Sequence, residues 1–483
     1  MANIEIILGV VAAYFMIVLG MIMYTRYKAE KKLFASMSEF MLANKSLPTF
    51  VLVCTYVGSL FSTFSVLGIP AYVYAHGVGG YGFIILTYFL GVVICLTYYK
   101  YLRRFAAQNK IFSPLEAVSL SYKSKILGMI CAVLFIIFLL PYISLQLVAV
   151  GKFLESMSGG SIGYIEGVGS MMIVVAIYLV FGGMRAVAYT DLIQLIAMVL
   201  GITGGALILL FHDDFSLSTA YAKKEHLTLP GPNEKYTPLY LISASIAIAG
   251  LFFQPHLTTR AMMAKDDKDI EAKAIGSSIA EMFLIIPVLF FGFGAISIFG
   301  TGLEPDQATG KLFDVIAQSG LFGLIISGLM LTAVLGAAMS TADSLLISIG
   351  QISTRDIARP FLRISRKKQV ILSKVIMFLM LIISFGIGLH PPKFMADLVL
   401  YSASASGILA PTMLGFMWSK RSNLAAFASI FLGLVTLGAF TLGGLSIVDI
   451  HPGMISFFAS GLVYVSVCLF FPNKILAKSG LNA

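Results

Sequence analysis

The sequence predicts an all-α, polytopic membrane protein of about thirteen transmembrane helices, and three observations predict it. Of its 483 residues, 58% are apolar and only 12% charged, with a mean hydropathy of +0.93; a soluble chain of this length is far more polar. Apolar runs of about 20 residues, each long enough to cross hydrocarbon as a helix, recur from end to end. The basic residues gather in alternate connections between those runs.

Taken in order, the runs give spans near 5–24, 47–73, 80–100, 125–152, 163–182, 189–211, 238–256, 275–300, 320–350, 370–390, 396–418, 423–444 and 453–472. The first lacks a basic stretch before it, carries Glu5 ahead of it and shows no clear small-residue cleavage site, so it is a span and not a signal peptide. The basic clusters are Arg26, Lys28, Lys31, Lys32 and Lys45; Lys100, Arg103, Arg104 and Lys110; Arg260, Lys265, Lys268 and Lys273; and Arg355, Arg359, Arg363, Arg366, Lys367 and Lys368. One membrane face can hold them all if the N-terminus lies outside and the C-terminus inside, the orientation set by the positive-inside rule. The formal charge of +10 is then solvated charge on that face, and no nucleic-acid partner is expected. The polar stretch 212–238, ending in PGPNEKYTP, becomes an external loop, and the tail after Pro472 is too short for a further domain. Cys54, Cys95, Cys131 and Cys468 lie inside apolar runs without metal-ligand spacing and are expected to be inert.

Two spans look interrupted. In VCTYVGSLFSTFSVLGIP (53–70), Gly58, Ser59, Ser62, Thr63 and Ser65 fall at mid-depth, where backbone hydrogen bonds are hardest to give up. In IAIAGLFFQPHL (246–257), Gly250 and Pro255 flank Gln254, and proline removes a donor while clashing with the preceding turn. Small residues of this kind also serve as close-packing contacts between membrane helices. With span 5–24 set aside as an extra N-terminal helix, the two interruptions sit at matching positions of two five-helix halves, 47–211 and 238–418, followed by two C-terminal helices in 423–472. That is the sequence signature of a five-plus-five inverted-repeat transporter, a single transmembrane domain over 1–483 that binds solute and ion where the broken helices expose carbonyls and half-helix ends.

The stretch GAAMSTADSLLIS (336–348) puts Ala337, Ser340, Thr341, Ser344 and Ser348 on one helix face. Such a row either glues helices, bonds back to the carbonyls of the preceding turn, or supplies oxygen ligands to a hard cation. Asp343 within it, and Asp191 after FGGMRAVAYT, are either interfacial and solvated or functional groups at membrane depth.

GGMRAVAYTDLIQ (182–194), FFQPHLTTRAMMAKDDKD (252–269), AAMSTADSLLIS (337–348) and APTMLGFMWSKRSNLAA (410–426) together resemble the sodium:solute symporter family, in order and over nearly the whole chain. PYISLQLVAVG (141–151) and the QPHLTTR turn look more like its organic-acid branch, the monocarboxylate or pantothenate carriers. The resemblance implies a LeuT-like core, a plasma (inner) membrane location, Na+ as coupling ion and symport of a small organic solute by alternating access. Carried over by position, it implies a sodium site made from the carbonyls of Gly58, Phe61 and Ala337 and the hydroxyls of Ser340 and Thr341. A second ion site found in some members would use Asp191, Ser340, Asp343 and Ser344, with Asp343 where serine is common. Solute would lie beside the sodium, near Ser62, Thr63, Ser65, Tyr142, Gln146, Phe252 and Gln254.

The expected partners are a small-molecule solute and the lipid bilayer, with no obligatory protein partner. Proton coupling on the same fold is an alternative reading, as is, from other classes, a membrane sensor or a passive channel. An enzyme is not expected, since no nucleophile–base pair or metal cluster is visible.

Overall fold

The computed structural model describes residues 2–29, 37–181, 183–213, 215, 226–232, 236–362, 365–392, 395 and 397–471. Of the basic clusters, Lys31, Lys32 and Arg363 lie outside the described residues, as do Gly182, much of the 212–238 loop and the tail from Pro472. Within the described residues the chain is helical, with a lone bridge between Ile447 and Ile450. Ten helices are long and apolar enough to cross a membrane, or up to twelve if each of two bent pairs is one span; Tyr164–Leu179 is apolar but shorter.

The helices that frame the site are α1 (Ala2–Ala29), α2 (Thr49–Leu60), α3 (Ile69–His76), α4 (Gly79–Ile94), α5 (Lys125–Met157), α6 (Tyr164–Phe181) and α7 (Met184–Leu210). They are followed by α8 (Pro238–Ile248), α9 (Pro255–Met262), α10 (Asp267–Phe299), α11 (Gly320–Ile352), α12 (Arg366–Gly388), α13 (Asp397–Gly407), α14 (Ala410–Gly415), α15 (Asn423–Thr441) and α16 (Pro452–Phe470). Helix α10 starts well before the apolar run that marks it. Asp266 caps it, accepting from the Asp269 N–H at 2.9 Å, and acidic residues in its first turn complement the helix dipole.

Both interruptions are real bends. The segment Thr49–Leu60 meets Phe64–His76 at 56°, and Pro238–Phe253 meets Pro255–Met262 at 55°. The first arises because Phe61 leaves helical conformation (φ −83°, ψ 85°), after which the chain resumes as a π-helical turn, Phe64–Gly68, leading into α3. In the second, α8 tightens into a 3-10 turn, Ala249–Phe253, and Gln254 is extended (φ −64°, ψ 144°), the conformation imposed on a residue before proline. Gly250 lets this turn lie against α13, since a Cβ there would sit 2.2 Å from the Ala403 carbonyl oxygen.

Burial separates scaffold from periphery. In α11 and the α13–α14 segment, 78% of the membrane window is buried, against 22% in α1 and 28% in each of α12, α15 and α16. A helix apolar all round with polar residues inside it belongs at the centre of a bundle, and α11 is that helix.

The basic clusters divide. Arg103 and Arg104 both grip Asp267, Lys100 pairs with Glu271, and Arg355 and Arg359 hold Glu116, so connections from three clusters meet at one end of the bundle. Arg260 and Lys273 depart from the expectation of solvated charge, because both are wholly buried. The bend at Gln254 carries α9 back beneath the bundle with Arg260 on it, and Lys273 lies between the rings of Tyr56 and Tyr99, 4.1 and 4.2 Å from their centroids. Asp191 and Asp343 are also buried, at 0% and 1% exposure, which removes the interfacial reading of both.

Candidate functional site

The first break ends α2 at Leu60, so the carbonyls of its last turn have no helical N–H four residues on. Gly58 and Phe61 belong to that turn and its cap. The Phe61 N–H closes it, donating to the Val57 carbonyl at 2.7 Å. Across from it runs α11. Ser59 Oγ and Ser344 Oγ are 3.0 Å apart, which brings the end of α2 within one turn of Ser340 and Thr341. Among the described residues no hydrogen bond joins Gly58 or Phe61 directly to Ala337, Ser340 or Thr341.

The hydroxyl row on α11 is not uniform. Ser340 donates to the Ala337 carbonyl at 3.2 Å, Ser344 to the Ser340 carbonyl at 2.5 Å and Ser348 to the Ser344 carbonyl at 2.8 Å. These three bond back within the helix. Thr341 does not: its Oγ1 is fully buried without a hydrogen-bond partner. A buried hydroxyl left unmatched is open to a ligand. With the carbonyls at the end of α2, it offers neutral oxygens of the kind a hard cation takes as ligands.

Arg260 organises the neighbouring charge. Its Nη2 donates to Ser344 Oγ at 2.6 Å and lies 3.5 Å from Asp191 Oδ2; its Nε donates to the Thr55 carbonyl at 3.0 Å and its Nη1 to the His256 carbonyl at 2.9 Å. Thr55 Oγ1 completes the ring by donating to Asp191 Oδ2 at 2.5 Å. One guanidinium thus ties both broken segments, through α2 and α9, to α7 and α11. Gly58 packs onto the same carboxylate side chain, where an added Cβ would lie 3.3 Å from Asp191 Cβ. Two of the four residues that resemblance assigns to a second ion site, Asp191 and Ser344, are therefore held by Arg260. Of the other two, Ser340 bonds to the Ala337 carbonyl, while Asp343 has neither carboxylate oxygen hydrogen-bonded.

A small cavity of about 40 Å³ lies between the two breaks. Of the solute candidates, Ser62, Ser65, Tyr142 and Phe252 line it, with Phe83, Thr87 and Tyr88 of α4 forming a wall that sequence reasoning missed. Nothing in the apolar run 80–100 distinguishes those three from packing residues. Thr63, Gln146 and Gln254 stand behind the lining and hold the breaks in shape. Gln146 Oε1 accepts from the Thr63 N–H and hydroxyl at 3.3 and 2.9 Å, and Gln254 Nε2 donates to the hydroxyls of Ser402 and Ser406 at 3.1 and 2.9 Å. Tyr99 adds a further tie, donating to the Phe252 carbonyl at 2.6 Å. The lining carries no charged residue. Its volume is far below the roughly 300–1,000 Å³ of a small-molecule pocket, so in this conformation it is closed to an organic solute.

Known proteins share this fold. A solved structure described as the substrate-bound outward-open state of a Na+-coupled sialic acid symporter superposes with a TM-score of 0.77, covering 98% of this chain and 99% of that one at 18% identity. Among curated proteins, the sodium/pantothenate symporter of Haemophilus influenzae is 25% identical, covering 93% of each chain. The osmoregulated proline transporter OpuE of Bacillus subtilis is also 25% identical, covering 95% of this chain and 94% of its own. The family model for sodium:solute symporters matches residues 40–433, a span that includes both breaks, Arg260 and the hydroxyl row. The chain belongs to the sodium:solute symporter family and is a sodium-coupled carrier of a small organic solute, a transporter and not an enzyme.

Proposed function

We propose that the carbonyls of Gly58, Phe61 and Ala337 and the hydroxyls of Ser340 and Thr341 hold the coupling sodium, and that a small carboxylate-bearing solute binds in the cavity between the breaks. The carrier spans the plasma membrane about thirteen times with its N-terminus outside, in repeats 47–211 and 238–418. The observation that carries this reading is the unpartnered Thr341 hydroxyl, buried on the helix packed against both broken segments. Solute that draws the end of α2 toward α11 would also tighten the ion's shell, which couples the two.

An uncharged lining meets a carboxylate through hydroxyls, here Ser62, Ser65, Thr87 and Tyr142, and through the positive ends of the half-helices. A monocarboxylate or a pantothenate-like acid suits it, as does a zwitterionic amino acid; the relatives named for pantothenate and proline support that class. Counterflow in proteoliposomes across monocarboxylates, pantothenate, amino acids and sugars, with sodium or choline outside, tests it. The expected result is sodium-dependent exchange of a carboxylate-bearing solute, and exchange of sugars alone would overturn the assignment.

Asp343 favours a second reading for the ion, because a wholly buried carboxyl with two unmatched oxygens is either protonated or awaiting a cation. Its electrostatic neighbours are Asp191, Tyr14 and Tyr178. With proton coupling there, Asp343→Asn flattens the pH profile of uptake. With sodium coupling alone, the profile keeps its shape and the sodium dependence persists.

A further inference from the structure

At the end of the bundle where the basic clusters meet, away from the two breaks, lies a cavity of about 670 Å³. Five basic side chains line it, Lys110, Lys123, Lys125, Arg355 and Arg359, against the acids Glu116 and Asp356. The acids are already engaged within its wall. Glu116 accepts from Arg355 at 2.5 Å and Arg359 at 3.2 Å, while Asp356, 3% exposed, accepts from the Ser113 hydroxyl at 2.5 Å. The three lysines are exposed and have no ion-pair partner among the described residues. Lys110 and Lys123 both stand at φ 51°, in the left-handed region that a residue other than glycine seldom adopts. The cavity also takes in the N-terminus of the 33-residue helix α5, whose first residue is Lys125 and whose Leu127 amide is capped by the Ser124 hydroxyl; the positive end of the helix dipole adds to the potential.

Charge alone suits any phosphate, but the rim narrows the choice. Leu120 and Ile126 beside the lysines, and Phe361 and Leu362 just after the lining Pro360, are 50–63% exposed. Leu120 lines the cavity and the other three follow lining residues by one or two positions in the chain, so bare apolar side chains adjoin a basic cavity, which fits a ligand with an anionic head and hydrocarbon tails. We propose that this cavity binds the phosphate headgroup of an anionic glycerophospholipid, with the acyl chains lying over Leu120, Ile126, Phe361 and Leu362. A basic pocket between transmembrane helices is a recurrent seat for such headgroups.

The test is native mass spectrometry of the full-length protein, delipidated and reloaded with phosphatidylglycerol or phosphatidylcholine. Wild type is expected to retain phosphatidylglycerol at least about tenfold better than phosphatidylcholine. The variant K110Q/K123Q/K125Q is expected to lose that preference and retain the two lipids about equally, while K265Q/K268Q/K420Q, with three lysines removed elsewhere, keeps it. Equal retention of the two lipids by wild type, or equal loss in both triple variants, overturns the proposal. So does displacement of the bound lipid by millimolar inorganic phosphate with phosphate retained in its place, which would mark the cavity as a site for a soluble phosphate.

Discussion

Arg260→Ala is expected to be the most damaging single substitution in the molecule. It leaves the Asp191 carboxylate buried at 0% exposure with only the Thr55 hydroxyl to bind it, and removing one partner of a buried ion pair costs about 3–5 kcal/mol. Asp191→Asn is milder, since the guanidinium keeps the carbonyls of Thr55 and His256 and the Ser344 hydroxyl as acceptors. Arg260→Lys does not rescue, because one ammonium cannot reach four acceptors on four elements in the geometry of a planar fork. Thermal unfolding in detergent, followed by size-exclusion chromatography, is expected to order the variants as wild type, Asp191→Asn, Arg260→Lys, Arg260→Ala. An Arg260→Ala protein as stable as wild type would show that the ion pair does not hold the broken segments together.

Thr341→Val separates ion binding from folding. The substitution keeps the side-chain shape and removes a hydroxyl that bonds nothing in the protein, so stability is expected to hold. If that oxygen is a sodium ligand, losing one charge-assisted contact costs about 1.5–3 kcal/mol, and the sodium concentration for half-maximal uptake rises roughly tenfold to a hundredfold. Ser340→Ala is expected to act in the same direction, having lost only its bond to the Ala337 carbonyl. Uptake measured against sodium at fixed solute decides the matter: an unchanged sodium dependence in both variants sinks the proposed site.

The breaks were legible in the sequence because hydrocarbon is intolerant. Glycine, serine and proline at mid-depth weaken helical hydrogen bonding, and few arrangements besides a break make that acceptable. Asp343 and the hydroxyl row stood out for the same reason, as polar groups where water is absent. The wall formed by Phe83, Thr87 and Tyr88 did not, because aromatic and threonine side chains look the same whether they face a cavity or a neighbouring helix. Arg260 was illegible for a geometric reason. Counted along the chain it follows an apolar run and resembles a loop charge, and only the 55° bend at Gln254 shows that the residues after the run stay inside. Gln146 and Gln254 were marked for the right region, though no spacing rule tells a residue that touches solute from one that braces those that do.

The uncharged lining between the breaks has an electrical consequence. If solute binds there, no ionised side chain of the lining neutralises it, and because the protein's own charges return to where they began, the charge moved per cycle is the sum of what the ligands bring. One sodium with a zwitterion carries one positive charge inward, so a membrane potential of 100 mV adds about 2.3 kcal/mol of driving force, close to a fiftyfold gain in accumulation. One sodium with a monovalent anion carries none and leaves uptake indifferent to voltage. At one sodium per solute, the current recorded from a membrane containing this carrier therefore reports the charge of its solute.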